Sequence, residues 1–422
     1  MLTAEPHEEV PDMTVTEHVD PIMALMSAAP RRRAQDEPLS VDGVIPSGLD
    51  GAFVQASRYP GGSWQSHAPA GPALFSGVRF GGGTARRLTT AGEFGGHPLE
   101  RLPDLATWIR PAGPAAPPPD GPWSVSLAPP VQDRATAEWH TIATYPGLGR
   151  AEHLTIGTDG GIRDARSFAL DGAPLMHAVA LTERFVVVFD LPVTYHRAAA
   201  MVGTRSPYRW RRDRPARIGL LSRRPGDVRE PRWFPIDPCY VSRSVNAYDD
   251  GGRVVVDAVR HERAFDAPSW GDEGAAGSAR VHRWTLDLGN GTAEERPLVD
   301  SMTLASVDSR RAGRRHQLMF GCAPGGRALV GHDLAAGSTQ VRELAPGRRA
   351  GQPVFVPRGR AEGDGWLVVL TQNDAQRRSE LLVLDALHLN GRPQAVVHLP
   401  ALLPTARHTT WMTVPAGRTH RR

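Results

Sequence analysis

ARIGLLSRRPGDVREPRWFPI, residues 216–236, reads as a strand, a polar turn and a second strand. Its central RRPGD supplies the proline, glycine and aspartate that a tight reversal favours, and the flanks are rich in strand formers. The same design recurs downstream in ARVHRWTLDLGNGTAEERPLV (279–299), GRALVGHDLAAGSTQVREL (326–344) and SELLVLDALHLNGRPQAVVHL (379–399). Further apolar runs at 184–190 (RFVVVFD), 252–259 (GRVVVDAV) and 365–371 (GWLVVLT) read as strands, and almost no stretch keeps a helical period. A hairpin roughly every 40 to 50 residues is the spacing of propeller blades. The repeats share shape and not sequence, so this periodicity equally describes a stack of β-sandwiches.

Around that all-β body the chain divides simply. Residues 1–40 are polar and proline-containing, with at most a short amphipathic helix near residues 21–27, and read as a flexible arm. Residues 41–416 form the body and residues 417–422 a basic tail. PAGPAAPPPDGP, residues 111–122, breaks the pattern and reads either as a domain boundary or, because similar strands continue on both sides, as an insertion loop.

Composition excludes several functions. With 40% hydrophobic residues and no apolar run of about 20, the chain has no expected transmembrane helix. Its start, MLTAEPHEEVPDM, lacks the basic and apolar regions of a secretory signal, so a cytoplasmic location is expected. All 49 basic residues are arginine, which removes Schiff-base lysine chemistry and the P-loop lysine together. Two cysteines, Cys239 and Cys322, cannot build a disulfide framework or a cysteine zinc site. A formal charge of +4 spread over 422 residues is a weak field, and the arginine clusters lack interleaved aromatics, so nucleic acid is not an expected partner.

Sixteen histidines leave imidazole and carboxylate as the ligands for any metal. There is no HExxH, so a metal would have to be gathered from distant segments, as happens where propeller inner strands converge on the axis.

GAPLMHAVALTERFVVVFDLP, residues 172–192, resembles the second metal-histidine segment of carotenoid cleavage oxygenases: a Met-His pair, a turn of the type hydrophobic-Thr-Glu-aromatic, and a strand ending Asp-Leu-Pro. The resemblance continues through GLDGAFVQ near Gly48, WFPIDPCYVSRSVNAYDDGGRVVVDAVRHE from Trp233, GQPVFVPR from Gly351, DGWLVVL, and a terminal histidine before Trp411. It covers nearly the whole chain after the arm. It implies a single seven-bladed β-propeller, an Fe(II) ion on its axis, and O2-dependent cleavage of a conjugated double bond in a carotenoid, apocarotenoid or stilbene.

The resemblance is incomplete where the metal should sit. It puts His177 at the second ligand position and His408 at the fourth. The first ligand position, in an Ala-His-Pro-x-x-Asp stretch, falls on Pro129, and the third, in a Phe-His-x-x-Asn-Ala-Tyr stretch, falls on Arg243. Of the glutamates that orient the ligands, Glu93 matches the first, while the others fall near Thr303 and at Gln352. Second-shell carboxylates raise ligand basicity, and losing one costs roughly 10- to 100-fold in metal affinity. Weak or absent iron binding is therefore expected, with activity weakened or lost. His97, His140, His153 and His316 are the candidates for a sparser substitute site. The alternative to an oxygenase is a non-catalytic propeller that binds an apolar isoprenoid or a protein partner. Residues 191–201 are either an apolar patch for peripheral membrane contact or a packed strand end.

Overall fold

The computed structural model describes residues 38–57, 74–88, 126–145, 149–196, 198–199, 208–224, 226–227, 230–265, 279–373, 375–400, 402–403 and 408–412. The expected arm with its short helix, the 111–122 stretch, the basic tail, Glu93 and His97 lie outside them.

In chain order the strands are β1 (Val41–Gly43), β2 (Gly51–Ser57), β3 (Leu74–Gly81) and β4 (Thr84–Leu88), then β5 (Ser126–Leu127), β6 (Val131–Gln132), β7 (Trp139–Tyr145), β8 (Arg150–Ile156) and β9 (Ile162–Ala169). There follow β10 (Val179–Leu181), β11 (Phe185–Asp190), β12 (Val193–Tyr195), β13 (Tyr208–Trp210), β14 (Ala216–Ser222) and β15 (Arg232–Ile236). Next come β16 (Tyr240–Asp250), β17 (Arg253–His261), β18 (Arg280–Asp287), β19 (Ala293–Val299), β20 (Thr303–Ser306), β21 (Leu318–Cys322), β22 (Ala328–Asp333) and β23 (Ser338–Glu343). The series ends with β24 (Arg348–Ala350), β25 (Val354–Pro357), β26 (Gly365–Asn373), β27 (Arg378–Asp385), β28 (Ala395–Leu399) and β29 (His408–Met412).

Neighbouring strands pair antiparallel into open sheets: β5 with β6 to β9; β10-β11-β14-β15; β16 to β19; β20 to β23; and β24 with β25 to β28. A two-stranded ribbon, β12-β13, sits beside the second of these. The hairpins read from the sequence are β14-β15, β18-β19, β22-β23 and β27-β28, in four successive sheets; the first three are the outer pairs, and β1 lies outside β28.

Each sheet is apolar on both faces, and this selects a propeller over separate sandwiches. On β26 and β27, Trp366, Val368, Leu370, Leu381 and Val383 enter one core, while Leu367, Val369, Leu382 and Leu384 enter another. On β11, Val187 and Phe189 enter a third core and Val186 and Val188 a fourth. Alternate side chains point to opposite faces, so a strand that is apolar at every position must be covered twice. A ring of sheets does that for every member.

The chain's ends close the ring. The C-terminal strand β29 is the first strand of the sheet β29-β2-β3-β4, paired Phe53 to Trp411 and Gln55 to Thr409. Strand β1 is added to β28, Val41 opposite Val397. The fold is the expected seven-bladed β-propeller, with six sheets of four or more strands lying among its described residues. Its first strands neighbour one another around the centre: β6 lies against β10, β10 against β16, β16 against β20, and β25 against β29.

Leu191 and Val193 are buried in the core, so that part of the 191–201 segment is a packed strand end rather than an exposed patch. Among the described residues no helix is long and apolar enough to cross a membrane.

Phe53 lies on β2, the strand that receives β29, and is 1% exposed. Phe53→Ala is expected to lower the unfolding free energy by about 3 to 5 kcal/mol, the usual cost of deleting a buried aromatic. Urea unfolding of the purified variant measures it, and a loss below about 1 kcal/mol would show that the closing sheet carries little of the stability.

Candidate functional site

His177 sits just before β10 on a segment fixed from behind. The Leu175 amide donates to the Val193 carbonyl at 2.7 Å, and Leu175, Met176 and Ala178 are buried while His177 is half-buried. The rest of its motif is structural. The Thr182 hydroxyl accepts from the amides of Arg184 and Phe185, closing the turn into β11. Asp190, 1% exposed, accepts from Arg214 at 2.7 Å and Arg217 at 2.8 Å. A buried carboxylate persists as an anion only with such partners.

Arg243 lies on β16 between two irregularities in its register with β17, at Val241/Arg243 and at Ser244/Asn246. Such bulges bend a strand and re-aim its side chains. The neighbouring Ser244 hydroxyl donates to the Val179 carbonyl at 2.5 Å, tying β16 to β10, two residues from His177. Asn246, of the Asn-Ala-Tyr match, is a clamp. Its Nδ2 donates to the carbonyls of Arg311 at 3.0 Å and Arg314 at 2.8 Å, and its Oδ1 accepts from the Gly313 amide.

Pro129 stands between β5 and β6, after an Ala128 that is fully buried and bonded to Ile142 and Thr141. Thr303 opens β20 and donates to the Cys322 carbonyl at 3.1 Å. Gln352, 7% exposed, precedes β25; its Oε1 accepts from the Thr409 amide at 3.3 Å and its backbone carbonyl accepts from the Thr409 hydroxyl. His408 begins β29, opposite Ala56. The structure therefore places the segments bearing Pro129, His177, Arg243, Thr303, Gln352 and His408 on the first strands of their sheets or directly before them.

These residues do not fit a divalent iron centre. Proline has no donor atom, and a guanidinium is a permanent cation without a lone pair to give. A unit charge within about 5 Å of a dication costs on the order of 7 kcal/mol at an effective dielectric of 20. Among the described residues no three His, Cys, Asp or Glu side chains are grouped to hold a metal ion.

The other described histidines are engaged elsewhere. His316 is buried between Asn246, whose amide meets its Nδ1 at 3.0 Å, and Asp257, which meets its Nε2 at 3.2 Å. Asp257 is also held by the Arg283 fork at 2.7 Å on each oxygen. Burial raises the Asp257 carboxyl, but the hydrogen bonds from Arg283 and His316 outweigh it and hold the group below the usual carboxylate range. His140 and His153 form a coplanar pair, Nδ1 to Nε2 at 2.9 Å, on β7 and β8. The two cysteines are buried, and burial pushes both thiols up to about 12, which makes them inert.

The comparisons decide the family. The retinal pigment epithelial membrane protein (RPE65) family model matches residues 99–413. The chain belongs to the carotenoid cleavage oxygenase family. The carotenoid cleavage oxygenase of Mycobacterium tuberculosis is 31% identical over 339 residues, 67% of each chain. The apocarotenoid-15,15'-oxygenase of Synechocystis is 26% identical over 61% of this chain and 56% of its own. Two solved structures share the fold. One is Synechocystis apocarotenoid oxygenase, with TM-score 0.70 and 20% identity over 90% of this chain and 96% of that one. The other is Pseudomonas brassicacearum lignostilbene dioxygenase, with TM-score 0.70 and 21% identity over 91% and 96%.

Sequence reasoning missed what the buried histidines do. Burial lowers His140 to about 4 and His153 to about 3, with nearby Arg223 and Arg166 adding to it. Unfolded, both titrate near 6.5, so below that pH the unfolded chain binds more protons and stability falls as pH drops toward 4. Each histidine contributes a slope of up to about 1.4 kcal/mol per pH unit in that window. Urea unfolding at pH 7 and pH 5 is expected to differ by about 2 to 4 kcal/mol, and by less in His140→Gln. An unchanged midpoint between the two pH values would contradict the neutral buried pair.

Proposed function

We propose that the propeller axis of this chain takes a conjugated apolar molecule of the carotenoid, apocarotenoid or stilbene kind, and that its Fe(II)- and O2-dependent cleavage is weakened or lost. The substrate class follows from the family and from relatives whose names include apocarotenoid oxygenase and lignostilbene dioxygenase. One observation carries the loss: Pro129 and Arg243 stand on the axial segments where the resemblance expects two imidazoles. His177 and His408 stand where the resemblance expects the other two.

When bound, an iron ion would supply the activation of O2 beside the alkene. What this chain's residues do is bind and exclude water. First strands in a closed ring leave a narrow axis, and the cores on either side of every sheet keep it rigid.

The test is metal content and cleavage together. Protein purified anaerobically with added Fe(II) is expected to retain far less than one iron per chain, and to leave an apocarotenal or a 4-hydroxystilbene uncleaved in air. The double variant Pro129→His with Arg243→His is expected to raise the iron content at least tenfold. Near-stoichiometric iron and polyene cleavage by the natural chain would overturn the reading.

A further inference from the structure

Four separate sheets contribute to one small cavity of about 140 Å3: Arg134 from the turn after β6, Ser309 from the turn after β20, Gln352 and Phe355 at β25, and Thr410 and Trp411 on β29. Segments this far apart in a ring of sheets meet only at its centre. The cavity lies a few residues along from the ligand positions: Arg134 follows Pro129 by five, and Thr410 follows His408 by two.

Its chemistry is one-sided. No described residue lining it is acidic. Arg134 is exposed and makes neither a hydrogen bond nor an ion pair among the described residues. The nearest carboxylate acting on it, Asp308, is 1% exposed and already held by Arg310, with hydrogen bonds of 2.6 and 3.0 Å. Gln352 is more than nine-tenths buried; its Oε1 is taken by the Thr409 amide, while its Nε2 donates to no partner among the described residues. The Ser309 and Thr410 hydroxyls likewise make no hydrogen bond among the described residues. A guanidinium, an amide N–H2 and two hydroxyls converge, and Phe355 and Trp411 provide apolar wall.

We propose that this axial cavity is an anion subsite that takes the carboxylate of a conjugated apolar acid, held by Arg134, Gln352 Nε2 and the hydroxyls of Ser309 and Thr410. Unpartnered donors in a confined space favour an acceptor-only group, and arginine is the side chain best matched to a carboxylate. The volume suits it: a cavity of about 150 Å3 holds one benzene ring, so this one accommodates a carboxylate with the first carbons of the molecule bearing it. The apolar remainder rests on the proposed occupancy of the axis, while the anion subsite stands on the cavity itself.

Three probes separate the two: trans-stilbene-4-carboxylate, its neutral carboxamide, and benzoate, titrated by tryptophan fluorescence and calorimetry at pH 7.5. The carboxylate is expected to bind at least tenfold more tightly than the carboxamide. That preference should vanish in Arg134→Gln, a change at an exposed turn position. Gln352→Glu keeps the acceptor for the Thr409 amide but adds a negative charge, and should weaken the carboxylate at least tenfold. Equal binding of acid and amide, or a preference that survives Arg134→Gln, would overturn the subsite while leaving the apolar axis in place. Arg134-dependent binding of benzoate alone, with neither stilbene bound, would keep the subsite and overturn the proposed function. No binding of any probe would overturn both.

Discussion

Central strands of this propeller are buried on both faces. Strands such as Gly365–Asn373 and Phe185–Asp190 send consecutive side chains into different cores, so neither sheet could stand alone without exposing a full apolar face. Fully burying a valine or leucine contributes about 1.5 to 3 kcal/mol, and each blade carries several such residues on both sides. Closing the ring completes that burial, and the pairing of β29 with β2 and of β1 with β28 is the hydrogen-bonded means of closure. The axis and everything proposed for it are consequences of that closure.

A second layer of order comes from buried charge. Asp190 with Arg214 and Arg217, and Asp257 with Arg283 and His316, sit inside the fold with their oxygens fully engaged. Removing one partner of such a group leaves an uncompensated buried ion, so these sites are intolerant of single changes. Asn246 does similar service with neutral groups, binding the 311–314 loop to β16. Residues that carry the family resemblance most visibly, Asp190 and Asn246 among them, hold the propeller together rather than touch its axis. The resemblance therefore rests largely on residues that hold the fold, independently of those at the expected ligand positions.

Much of the fold was legible because the outer strands alternate and end in tight turns: β14-β15, β18-β19, β22-β23 and β27-β28 fall where residues 216–236, 279–299, 326–344 and 379–399 read as hairpins. The first strands were harder. Val179–Leu181, Val131–Gln132 and Thr303–Ser306 are only two to four residues long, and β20 is broken by a register irregularity and by Leu304 at φ 48°. So brief a run has no period to detect. The candidate ligand positions were readable only through the resemblance, which identified Pro129 and Arg243 by their neighbours. The donor-lined cavity had no signal at all in the sequence. It depends on Arg134, Ser309, Gln352 and Thr410 being brought together from four sheets, and only the closed ring does that.

With Arg243 and Pro129 where the resemblance expects two imidazoles, and Gln352 where it expects a carboxylate, the proposed axis disfavours a cation. Anomalous diffraction at the iron edge, from crystals grown anaerobically with excess Fe(II), tests it most directly. No anomalous peak is predicted on the propeller axis. A peak there, coordinated by His177 and His408, would overturn the loss of iron binding.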